Sequence, residues 1–170
     1  MINIDPFLAW VESTALSQWV VGSPSILAFP GILVLHAIGM AFAVGISAAM
    51  DLRILGIAPR VPFGEMRRFL PFLWAGFWVN AVSGLLLLVG YPTKALTNPV
   101  FYLKLILIAV AMGLMVRISR STFAIHSPPA ISEFPAPLRR LAVASLICWA
   151  GAITAGRLLA YTYSRLTQTF

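Results

Sequence analysis

VLHAIGMAFAVGISAAMDLRILG, Val34 to Gly56, is too long and too apolar for a water-soluble helix face. The apolar run that carries it opens near Ile26 and reaches Met50 before its first charge, Asp51. A bilayer core asks for about 20 such residues. Backbone polar groups cannot stay unpaired in hydrocarbon, so a run of this length has to be helical. Inside it stands His36, with Met40 one turn on. His36, Met40, Ala43, Ser47 and Met50 recur at steps of four and three and so share one helix face. Beside them run two ladders of small residues, Gly39–Ala43–Ser47 and Ala41–Gly45–Ala49. Small side chains let a neighbouring backbone, or a flat ligand, come close.

Working outward, three more segments have the length and character of a span: Phe69 to Gly90, Val100 to Ser119 and Leu138 to Tyr163. The composition agrees. Hydrophobic residues make up 60% of the 170, charged residues 10%, and the mean hydropathy is +0.92. A water-soluble domain carries about 25% charged residues, so this chain lacks the polar surface to cover itself in water. GIAPRVPFGE, YPTKALTNP and HSPPAISEFPAP separate the spans, and their prolines and glycines stop helices. Short links make consecutive helices antiparallel neighbours. The expected fold is all-α, an integral membrane four-helix up-down bundle over 25–165. Residues 1–24 precede it. There Phe7, Leu8, Val11, Ala15 and Trp19 recur at helical spacing, which predicts an amphipathic helix lying in the interface, anchored by Trp10 and Trp19.

The net charge of +7 raises the question of nucleic acid. The cations cluster in short links instead of forming a basic groove with stacking aromatics, so no nucleic-acid partner is expected and the lipid bilayer is. Arg53, Arg60, Arg67, Arg68, Arg117, Arg120, Arg139 and Arg140 fall on one side, against Lys94, Lys104, Arg157 and Arg165 on the other. The positive-inside rule then puts the arginine-rich links in the cytoplasm and both termini in the periplasm of a bacterial inner membrane. MINIDPFLAWVE lacks the basic start of a signal peptide, so the first span is expected to direct insertion. Cys148 has no CxxC partner and reads as a packing residue.

Polar side chains inside a membrane are costly and call for a functional hypothesis. His36, Asn80, Lys104 and Arg157 fall at mid to outer depth, one on each span, and form the expected cofactor-binding set. The leading expectation is a cofactor-holding or membrane-anchor subunit that transfers electrons through haem b, with His36 as axial ligand and Lys104 and Arg157 beside the propionates. The second histidine, His126, follows span three on the cytoplasmic side and cannot share that haem. Copper is the alternative, since His36 and Met40 at i, i+4 can converge on one soft ion. A third reading has His36 bonded internally in a structural subunit of a larger membrane assembly or a homo-oligomer. Asp51, at a helix C-terminus, needs a cation, and Arg117 at the matching end of span three is the expected partner, with Arg120, Arg67 and Arg68 as alternatives. No GxSxG, HExxH or phosphate loop is present, so no catalytic activity of its own is expected.

LHAIGMAFAVGISAAMDLRILG, then RFLPFLWAGFWVNAVSGLLLL, then NPVFYLKLILI, resembles a family of small four-span bacterial inner-membrane proteins with an HxxG…DLRxLG…FxxK pattern. The resemblance covers residues 25 to 120, at His36, Gly39, Gly45, Asp51, Leu52, Arg53, Gly84 and Lys104. More distantly the His-then-glycine span is similar to copper-resistance D membrane proteins and to b-type cytochrome bundles. The paired intramembrane histidines of those cytochromes are missing here. The resemblance implies a fold and a membrane location.

Overall fold

The structure is a computed structural model and describes residues 5–57, 59–123 and 134–166. Among the described residues four helices are long and apolar enough to cross a membrane: α3 (Phe29–Ile54), α4 (Leu70–Gly90), α6 (Pro99–Phe123) and α7 (Ala136–Leu166). Among the described residues there is no strand. Two short helices, α1 (Asp5–Ser13) and α2 (Ala15–Gly22), precede the bundle, a 3-10 turn (Phe63–Phe69) leads into α4, and a one-turn helix, α5 (Pro92–Leu96), links α4 to α6.

Local chemistry sets these boundaries. Proline stands in the first turn of α3, α4, α5 and α6, where its missing N–H costs nothing. α3 does not stop at Met50. It carries Asp51 and Arg53 inside its last turn, ends at Ile54, and is capped through Gly56, whose φ of 96° suits a residue without Cβ. Ile57 N donates to Leu52 O (2.9 Å) and Gly56 N to Arg53 O (3.2 Å), the paired bonds of a Schellman cap. The expected single interfacial helix is broken in two at Thr14. Its hydroxyl accepts from Ser17 N at 3.3 Å, giving α2 a start of its own. The buried face of this pair is Leu8, Ser17 and Val20, while Phe7, Trp10 and Trp19 are exposed.

α3 packs on α4 and α6 on α7, and these hairpins meet chiefly through α3 and α7. The α3–α4 crossing is tight. A Cβ on Gly39 would lie 2.6 Å from Asn80 N and 2.7 Å from Gly76 O, so only glycine fits between these backbones. Trp149 on α7 donates its indole N–H to Ser47 Oγ on α3 at 3.0 Å, and Asn98 ties the start of α6 to Thr162 of α7 at 2.8 Å. The apolar core is weighted towards the arginine-rich end. Met50, Ile54, Phe63, Ile118, Phe134 and Leu138 form one cluster there. A second cluster, of Leu73, Ala111, Met112, Met115 and Trp149, lies next to it. The half nearer the termini is left for polar side chains.

Candidate functional site

Helix spacing and the close α3–α4 crossing bring His36 against α4. The ring packs over Gly84, its Cε1 3.1 Å from where a Cβ would stand. Nδ1 lies 3.0 Å from the Asn80 backbone carbonyl and 3.2 Å from Ser83 Oγ. A carbonyl oxygen can only accept, so Nδ1 carries the hydrogen, and in the neutral ring Nε2 keeps its lone pair. Asn80 returns the contact, its Nδ2 donating to His36 O at 2.7 Å. Ser83 completes the network by donating to Val79 O at 2.6 Å. Two spans are therefore joined by a reciprocal pair of hydrogen bonds between His36 and Asn80.

Asn80 also lines a small cavity between α3, α4, α6 and α7, together with Met40, Lys104 and Trp149. Lys104 reaches into it across Gly156 of α7. The cavity measures about 10 Å³, the room one water occupies. Three of the four expected residues, His36, Asn80 and Lys104, are thus gathered. Arg157 is not. It lies on the exposed face of α7, one position past Gly156. Met40 lines the cavity, whereas His36 is bonded in the α3–α4 seam. His126 lies outside the described residues.

The expected Asp51–Arg117 ion pair is corrected by the structure. Asp51 is 1% exposed and looks towards α7, where the Ser145 hydroxyl is its polar neighbour. Arg117 is exposed on α6, and the ion pair found among the described residues joins Arg68 to Glu65. The reason is the length of α3. The helix continues past Asp51, which turns the carboxyl into the bundle instead of leaving it at a helix end. Asp51 Oδ2 and Ser145 Oγ are both buried without a hydrogen-bond partner. Arg53 has its own task. Its guanidinium donates to Val61 O (2.7 Å) and Pro59 O (2.9 Å) and sits 5.9 Å from the Phe134 ring centroid, clamping the link that follows α3.

Ser83, Trp149 and Ser145 are not among the residues singled out from the sequence. Ser83 had a readable signal, since it lies three residues after Asn80 on the same face. Trp149 and Ser145 meet α3 only through the α3–α7 contact, which no periodicity reveals.

As for chemistry, the described residues include no group of three His, Cys, Asp or Glu side chains placed to hold a metal ion. A haem plane does not fit the internal cavity, so its space would have to come from a second chain or the lipid face. The chain matches no family model, no curated protein and no solved structure.

Proposed function

We propose that this chain is a non-catalytic integral membrane subunit, a scaffold within a larger assembly, in which His36 is a strut between α3 and α4. The observation that carries the reading is the reciprocal pair of bonds at His36: Nδ1 on the Asn80 carbonyl, and the Asn80 amide on the His36 carbonyl. Interhelical hydrogen bonds of this kind are worth about 0.6 kcal/mol on average and up to about 1.7 in a membrane protein. That is enough to hold a crossing already made close by Gly39 and Gly76. The arginine-rich links orient the subunit with both termini in the periplasm of a bacterial inner membrane. The test is thermal unfolding of the purified chain in mild detergent. His36→Ala lowers the midpoint by several degrees, and copper chelators leave both midpoints unchanged. A wild-type midpoint that falls to the His36→Ala value on chelation would overturn the reading in favour of copper.

One observation favours a second reading, haem b on His36. A histidine that binds a metal through one nitrogen characteristically donates its other N–H to a carbonyl, and Nδ1 does so here. Nε2 would then be the ligand atom, with the haem seated between this chain and a partner.

A further inference from the structure

A lysine near the end of a transmembrane helix usually sends its head up to the lipid headgroups. Lys104, in the second turn of α6, takes another course. Its side chain runs along Gly156 of α7, with Nζ 3.8 Å from the position a Cβ would take there. Lys104 is also part of the lining of the cavity formed with Met40, Phe77, Asn80, Ile108 and Trp149. Among the described residues the ammonium has no hydrogen-bond acceptor and no carboxylate partner. Its electrostatic neighbour is His36, another base. A cation at this depth is costly unless something negative lies beside it.

The rest of the lining points to the same occupant. Asn80 Nδ2 gives one hydrogen to His36 O and lies 3.3 Å from His36 Nδ1. Because Nδ1 itself carries a hydrogen, it cannot accept the second, which is left uncommitted. The remaining walls are apolar. We propose that the cavity is a binding site for a monovalent anionic group, held by Lys104 and the Asn80 amide and enclosed by Met40, Phe77, Ile108 and Trp149. Room for one water limits the group to a halide-sized ion or a single anionic oxygen. That oxygen can belong to a free ion or to the head of a lipid.

Trp149 makes the site testable, because bromide quenches tryptophan on contact. Trp10, Trp19, Trp74 and Trp78 are exposed, while Trp149 is buried beside the cavity. The full chain, delipidated in an uncharged detergent, is titrated with sodium bromide against sodium gluconate at matched ionic strength. The exposed tryptophans give quenching that grows linearly with bromide. Binding in the cavity adds a saturating component that is absent in Trp149→Phe and Lys104→Met and kept in Lys104→Arg. If the natural occupant is a lipid head, phosphatidylglycerol suppresses that component and phosphatidylcholine does not. If it is a free ion, neither lipid changes it. Strictly linear quenching in the wild type overturns the proposal, and so does a saturating component that survives in Lys104→Met. Should Lys104→Met fail to fold, wild type against Trp149→Phe still decides.

Discussion

At the scale of single residues, the two glycine ladders of α3 look alike in sequence and behave oppositely in the fold. Gly39, Ala43 and Ser47 are buried, Gly39 against α4 and Ser47 against Trp149 of α7, whereas Ala41, Gly45 and Ala49 are exposed. A methyl on Gly39 would meet backbone atoms of Asn80 and Gly76, which cannot step aside, while one on Gly45 meets nothing within 4 Å. Gly39→Ala should therefore cost about 3 kcal/mol, the upper end of overpacking. Gly45→Ala should stay within about 0.5 kcal/mol of the wild type. Chemical or steric unfolding in detergent reads both. The Asp51 correction is checked in the same way. Because Asp51 and Arg117 make no ion pair, a double-mutant cycle between them should give a coupling within about 0.3 kcal/mol of zero. A coupling above about 1 kcal/mol would restore the pair. His36 and Asn80 were legible in sequence as polar groups at one depth. Which atoms they would exchange was not, because backbone carbonyls carry no sequence signal.

At the scale of elements, hydrophobic run length located all four spans, since bilayer thickness leaves little choice of structure. Ends were less legible. α3 runs past its first charges because Arg53 folds back onto the carbonyls of Pro59 and Val61, and such a clamp is a tertiary fact. The break between α1 and α2 depends on one hydroxyl, that of Thr14, bonding to the chain three residues on. The clamp yields a prediction. Arg53→Met should destabilise the protein by about 2 kcal/mol, the worth of a charged hydrogen bond plus the carbonyls left behind. It should also make the 55–62 link the first site of limited proteolysis. Arg53→Lys should not rescue it, because a point-like ammonium cannot span both carbonyls as the planar guanidinium does. Equal proteolysis of wild type and Arg53→Met would count against the clamp.

At the scale of the whole molecule, one end is rich in apolar packing and arginine, and the other gathers His36, Asn80, Ser83 and Lys104 in a thinner core. That asymmetry gives a topology test. With Cys148 replaced by alanine, a single cysteine at Arg60 should be labelled by an impermeant maleimide only after the cells are opened. One at Lys94 should be labelled in intact cells. The reverse pattern would invert the orientation. The proposed function turns on His36 as a strut between α3 and α4, with no haem iron on its ring. The direct measurement is the visible absorption spectrum of the chain purified from membranes of haem-replete cells, oxidised and dithionite-reduced. A strut gives no Soret band in the wild type and the same featureless spectrum in His36→Ala. A Soret band in the wild type that disappears in His36→Ala would contradict it.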